Sequence, residues 1–290
     1  MRAAGYTIRE NDPFETPSPI RFAKRQPSPY VGRMSLMWQN MRDCVLEEFP
    51  QAPGVPQDKE AYVKRIEELY SSDAYHSLSI EGYRVNLELI ERVRSGNWNL
   101  DTNEEDRNHR DAMAARGYWQ AFQSVQASIR NILDGENAGQ TVSSDHATWY
   151  RELFAPSAAA GILRAGDLAG YRSAPVYIRH SKYVPPNKEA IRDLLPAFFE
   201  LLAQEPEASV RVVLGHFIFV YIHPYMDGNG RIGRFLMNAM MASGGYPWTI
   251  IPVEKRAEYM AALERASVDQ DIRPFTVFLS DLLQSSPAKF

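Results

Sequence analysis

His223-Pro224-Tyr225-Met226-Asp227-Gly228-Asn229-Gly230-Arg231-Ile232-Gly233-Arg234 lies between two apolar segments, Val210 to Ile222 and Phe235 to Met241. A short polar loop between two segments that want burial is where chemistry is to be sought. Gly228, Asn229 and Gly230 permit backbone conformations that other residues resist, so successive N–H groups can converge into a nest for an anion. Arg231 then opens a predicted helix, whose free N-terminal N–H groups and dipole favour the same anion. Arg231 and Arg234, spaced i and i+3, share a helix face from which two guanidinium forks can grip phosphate oxygens. Asp227 sets one carboxylate at the rim, the arrangement Mg²⁺ uses when it keeps its waters and bridges phosphates. His223, with an ordinary pKa near ~6.5, suits a general base. The ligand that these parts fit is a polyphosphate.

The same letters have rival readings. Gly228 to Gly233 spells G-x-G-x-x-G, the dinucleotide fingerprint, which requires a preceding strand and a βαβ setting. Val210 to Ile222 is longer than the roughly 4 to 8 residues of an ordinary strand, and no βαβ pattern surrounds it. A lone histidine before proline is ordinarily a helix end, and two arginines a solvated face. It is their co-occurrence in one loop that argues for a site.

The stretch resembles the Fic-family motif, His-Pro-Phe-x-Asp/Glu-Gly-Asn-Gly-Arg-x-x-Arg, at every specified position except Tyr225, which keeps an aromatic ring. Gly170-Tyr171-Arg172 through Val184-Pro185-Pro186 is similar to that family's target-docking flap, and Gly245-Tyr246-Pro247 through Asp271-Ile272-Arg273-Pro274-Phe275 to its closing helices. The likeness covers about Asp58 to Leu283. It implies an all-α Fic-type helical bundle with a short β-hairpin flap, an enzyme that moves AMP from ATP onto a protein Ser, Thr or Tyr hydroxyl. Ser77-x-x-x-Glu81-Gly82 resembles the family's inhibitory motif, which implies that Glu81 reaches Arg234 and blocks productive γ-phosphate binding. A carboxylate there would remove a phosphate ligand and repel the triphosphate.

Taken on the resemblance, His223 is the base, Asp227 holds Mg²⁺, and Asn229 with the nest of Gly228 and Gly230 stabilises charge at the α-phosphate. Arg231 and Arg234 hold the β- and γ-phosphates. Gly230, where the kinase-like branch of the family carries lysine, favours AMP transfer. AMP removal by the same site, with Glu81 orienting water, and a nucleotide-sensing module without turnover are the competing readings.

In chain order, the 290 residues divide into a Pro-rich arm and helix (1–57), an inhibitory-helix region (58–100) and a Fic core (101–290). With 44% hydrophobic residues a sizeable core is expected. A net charge of −4 gives no electrostatic footprint for nucleic acid. One cysteine, Cys44, allows no internal disulfide, and there is no membrane-length apolar run or signal peptide, so the expectation is a cytoplasmic protein that avoids membranes. A homodimer stays open. Met1 to Pro29, with five prolines, reads as an extended arm. Ser35 to Phe49 reads as a helix with Leu36, Met37, Met41, Val45 and Leu46 inward. Asp58 to Ser79 follows, then a helix capped by Asn86. Asp101 to Leu133 is helical with an interruption at Gly117, and Ser143 or Ser144 caps a helix through Phe154. Val176-Tyr177-Ile178, the turn Arg179 to Lys182 and Tyr183-Val184 read as the hairpin whose edge receives a target segment. Asn187 caps Lys188 to Gln204. His146 and His216 read as structural, and His109 and His180 as solvated.

Overall fold

Capping side chains set where the helices begin in this computed structural model, which describes residues 28–96 and 110–285. Pro29, with φ already helical and no N–H to satisfy, starts α1 (Pro29–Glu48) behind Ser28, whose hydroxyl accepts from Tyr30 N–H. Asp58, Asn86 and Asn137 cap α2 (Lys59–Ile80), α3 (Leu87–Arg94) and α5 (Ala138–Ala159), each accepting an N–H from the first turn at 2.8–3.0 Å. Between α3 and α5 runs α4 (Arg110–Leu133). The chain continues through α6 (Ile191–Gln204), α7 (Ala208–Ile222), α8 (Asn229–Gly244), α9 (Arg256–Val268) and α10 (Arg273–Ser285). The architecture is all-helical, and no strand occurs among the described residues. None of the described helices is long and apolar enough to cross a membrane.

The antiparallel pair α7 and α8 forms the middle of one continuous apolar core that runs from Met34 to Leu282. α7 packs on α1 and α6, α8 packs on α4 and α5, and α2 lies across α4 with its C-terminal turn directed at the start of α8. This layering seats the 223–228 loop at one end of the bundle with rigid helices behind it.

Five expectations are corrected. The inward stripe of α1 is Met34, Met37, Trp38, Met41 and Val45, while Leu36 and Leu46 are exposed. The stripe is fixed by a polar knot in which Trp38 Nε1 and the Arg42 guanidinium donate to Glu205. α4 runs unbroken through Gly117, because a Cβ there would run into the Leu153 carbonyl of α5; the glycine serves a close helix crossing. α5 starts earlier than Ser143 because Asn137 supplies the cap, and Asn187 makes no side-chain cap bond. The hairpin at Val176–Val184 is a turn without a ladder: Ser181 N–H donates to Ile178 C=O at 3.1 Å. Pro175, Pro185 and Pro186 remove donors, Lys182 N–H is taken by Glu264 of α9, and Tyr183 N–H by the Ser181 hydroxyl. The arm before Ser28, residues 97–109 with His109, and the chain after Ser285 lie outside the described residues.

Candidate active site

His223 ends α7 in the left-handed region, with φ 53°. That conformation is uncommon for a residue with a side chain and persists only when its surroundings over-determine it. Here Arg172 does so. Its Nε donates to His223 C=O and its backbone N–H to Pro224 C=O, both at 2.8 Å. His223 Nδ1 sits 3.2 Å from Val220 C=O, which can only accept, so Nδ1 carries the proton and Nε2 is left as the basic nitrogen. Burial, with Arg172 adding to it, moves the imidazole pKa below its usual value, so the ring is neutral at pH 7.

Asn229 closes the loop. Its amide oxygen accepts from Tyr225 N–H and its amide nitrogen donates to Tyr225 C=O, both at 2.9 Å, so the side chain shapes the nest and keeps its second amide N–H for a ligand. Tyr225, the one departure from the family motif, stacks flat on Tyr150 at 3.8 Å between centroids. Gly228, with φ 82°, begins α8, and a Cβ there would lie 2.8 Å from the Phe154 ring. Asp227 accepts from Gly228 N–H at 2.6 Å and otherwise faces solvent, 3.4 Å from Arg231 Nη2.

The two arginines are held differently. Arg231 is 1% exposed and its guanidinium sits over the rings of Tyr83 and Phe154 at 5.1 and 4.9 Å. Arg234 donates from Nε to Ser77 Oγ (2.9 Å) and from Nη2 to Ser77 C=O (3.0 Å) and Glu81 Oε1 (2.7 Å). Arg231 Nε and Arg234 Nη1 are buried without a hydrogen-bond partner. Unsatisfied buried donors are costly, and two of them beside a helix N-terminus describe a site shaped for an anion's oxygens. Burial alone would raise the Glu81 pKa, but Arg234 and then Arg231 hold it below the ordinary carboxylate value. A Cβ on Gly230 would collide with the Glu81 carboxylate, so glycine is what admits Glu81 to the nest. Gly82, at φ 85°, turns the chain away immediately afterwards.

The structure thus brings together His223, Asp227, Gly228, Asn229, Gly230, Arg231, Arg234, Ser77 and Glu81. Val176, Tyr177 and Ile178 lie on the neighbouring irregular segment, with Tyr177 79% exposed. That segment is pinned at its turn by Glu264 of α9, which accepts from Ser181 Oγ and from Lys182 N–H (2.8 Å), and by Tyr183 OH donating to Tyr221 C=O at 2.9 Å. Sequence reasoning missed Arg172 as a supporting residue, and also Tyr83 and Phe154. A single arginine in a Gly- and Pro-rich stretch was the available signal. An open cavity of about 670 Å³ adjoins Asp227 and Met226, walled by Tyr83, Tyr150, Phe154 and Tyr171.

His216 is buried with Nε2 2.7 Å from Tyr259 OH, and burial pushes its pKa down to about 4. His146 is buried against the carbonyls of Val142 and Ser143, and His180 sits exposed in the turn. Among the described residues no group of three or more His, Cys, Asp or Glu could hold a metal ion. Asp227, a single exposed carboxylate beside an anion nest, does fit Mg²⁺ brought in on phosphates.

A model of the Fic/DOC family matches residues 143–241. The chain is similar to the "Protein adenylyltransferase Fic" of Nematostella vectensis, 29% identical over 246 residues that cover 83% of this chain and 53% of that protein. It is also similar to that of Drosophila grimshawi, at 28%, 83% and 47%. The chain spans about half the length of these curated relatives. Among solved structures, Fic-1 from C. elegans matches with a TM-score of 0.62 at 23% identity, covering 88% of this chain and 71% of that one. A Fic domain containing signaling protein from Bacteroides thetaiotaomicron matches with a TM-score of 0.56 at 17% identity, covering 87% and 92%. At these identities the structural likeness speaks for the helical fold.

Proposed function

We propose that this chain, which carries a Fic/DOC-family domain, transfers AMP from ATP to a hydroxyl of another protein and is held off by its own Glu81. The observation that carries the reading is the pair of buried, unsatisfied guanidinium nitrogens on Arg231 and Arg234 beside the nest. The names of the curated relatives support it. His223 Nε2 takes the proton of a Ser, Thr or Tyr hydroxyl. The oxygen bonds to the α-phosphorus while the bond to the β-phosphate oxygen breaks and pyrophosphate leaves. The second amide N–H of Asn229 and the N–H groups at the start of α8 stabilise charge on the α-phosphate, and the arginines hold the outer phosphates, so catalysis is positioning plus electrostatics. Mg²⁺, when bound, neutralises phosphate charge, and Asp227 is the residue that would hold it.

Glu81 restrains this site by occupying Arg234, which must turn to the γ-phosphate for a productive ATP pose. The exposed ring of Tyr177, with Val176 and Ile178, is the surface on which a target segment docks by its main chain. The protein acts in the cytoplasm.

The test is transfer from ATP labelled at its α-phosphate, comparing wild type, Glu81→Gly and Glu81→Gly with His223→Ala. Strong labelling only in Glu81→Gly is the expected result. No labelling in any of the three, with AMP released from a modified target instead, would replace transfer by AMP removal. ATP binding without any turnover would replace both by nucleotide sensing.

A further inference from the structure

α2 carries more than Ser77 and Glu81 on its inner face. Four residues before Ser77, Asp73 is 5% exposed, and both of its carboxylate oxygens are taken by neutral donors from two different elements. Tyr118 OH of α4 donates to Oδ2 at 2.6 Å. Trp248 Nε1, from the segment that joins α8 to α9, donates to Oδ1 at 3.1 Å. The same segment grips α2 again farther along. Val253 N–H donates to His76 Nδ1 at 3.1 Å, and Arg256 Nε, at the head of α9, to Ile80 C=O at 2.8 Å. Three successive points on one face of α2 are therefore tied to a strap, Trp248 to Arg256, that joins α8 to α9. Tyr118 also bonds the Ser77 hydroxyl, which accepts from Arg234 Nε, whereas the three bonds from the strap do not touch the nest.

A carboxylate buried among neutral donors is an expensive way to join two helices, where apolar packing would serve as well. What it supplies is direction. Two donors on elements fixed to the core leave α2 one axial position and one rotation, and a slide of one residue would move Glu81 by about 1.5 Å. That displacement is enough to undo a 2.7 Å charge-assisted hydrogen bond to Arg234. We propose that Asp73, held by Trp248 and Tyr118, is a positioning residue for Glu81, and that the strap sets how often the Glu81–Arg234 contact opens. The proposal rests on the reading of Glu81 as the restraint on AMP transfer.

Two variants test it. Asp73→Asn puts an amide donor against one of the two existing donors, and Trp248→Phe removes the indole N–H that reaches Asp73 from the strap. Hydrogen exchange is followed by mass spectrometry over Ser77–Tyr83 and over α7 and α8, and label transfer is measured for each variant with Glu81 present and with Glu81→Gly. The expected result is exchange over Ser77–Tyr83 faster by roughly tenfold, the weight of one hydrogen bond to a charged group, with α7 and α8 unchanged. Transfer rises several-fold above wild type when Glu81 is present and does not rise further with Glu81→Gly. Unchanged exchange at Ser77–Tyr83 overturns the proposal, as does equal acceleration throughout α7 and α8, which marks a general loss of stability. Equal change of transfer in both backgrounds overturns it too, since Asp73 would then not act through Glu81. Should Glu81→Gly alone transfer no label, the AMP-transfer reading fails, while the exchange data still decide whether Asp73 seats Glu81.

Discussion

Two segments meet at the site, and they are held in opposite ways. The α7–loop–α8 hairpin is supported from within: its helices are buried nearly throughout, Asn229 closes the loop on Tyr225, and Gly228 starts α8. The irregular stretch from Arg172 to Pro186 has no ladder of its own and takes its order from side chains. Arg172 reaches the carbonyls of Ala174 and Pro186, Glu264 fastens the turn, and Tyr183 hangs on Tyr221. The first is built to keep reacting groups at fixed distances. The second keeps an exposed face, Tyr177 and Val184, on a backbone that costs little to adjust. On the proposed reading chemistry belongs to one and recognition to the other, and Arg172 joins them by bonding the His223 carbonyl.

His223→Ala puts the greatest pressure on that division. In the Glu81→Gly background it should lower AMP transfer by about 10²–10⁴-fold with folding and ATP binding kept, the scale of a lost general base. Label transfer together with ATP titration checks it, and retained transfer would move the chemistry off the hairpin. Arg172→Lys comes next. One ammonium cannot serve the three carbonyls of His223, Ala174 and Pro186 in the planar fork geometry of a guanidinium, so transfer should fall by roughly tenfold or more. Because Arg172 stands between the two segments, both turnover and the apparent affinity for the target should suffer. A loss confined to affinity would show that His223 holds its conformation unaided. Tyr177→Ala should act on one side only: labelling of target proteins in a lysate falls a few-fold at low target concentration and recovers at high concentration, and the thermal midpoint does not change.

The same contrast decides what could be read in the sequence. The hairpin was legible because its signals are local: two apolar runs, a Gly-Asn-Gly turn and arginines one helical turn apart. The cap Asn86 was legible for the same reason, as was the start of α2 near Asp58. Glu81 was found only through the likeness of Ser77-x-x-x-Glu81-Gly82 to a family motif, since nothing in periodicity announces a bond to Arg234 across the chain. Three β-branched or aromatic residues, Val176-Tyr177-Ile178, read as a strand, yet the prolines nearby and the borrowed hydrogen bonds decided otherwise. Arg172 and Asp73 were invisible as supports, because each works through groups distant in sequence. Trp38 turned α1 by way of Glu205, a long-range bond that no count of apolar positions contains.

The smallest effect lies within α2, where two buried carboxylates respond oppositely to pH. Burial pushes Asp73 up to about 6 in the fold, against roughly 3.9 for an unfolded aspartate. A raised folded value means that its contribution to stability is fully present below about 3.9 and is lost as pH rises through about 6. Glu81 is held below the ordinary range by Arg234, so its contribution is present above about 4.3 and is lost as pH falls through its folded value. Of these two carboxylates only Asp73 titrates between pH 7 and 5, and acidification over that interval should therefore stabilise wild type relative to Asp73→Asn by about 1.4 kcal/mol, the one unit from about 6 to 5 at 1.36 kcal/mol per unit. Thermal midpoints of the two proteins measured across that interval give the answer. A gap that moves in favour of wild type as pH falls places the ionisable strain on α2 at Asp73. A constant gap would mean that its carboxyl is already neutral at pH 7 and that Tyr118 and Trp248 hold an acid in place of a carboxylate.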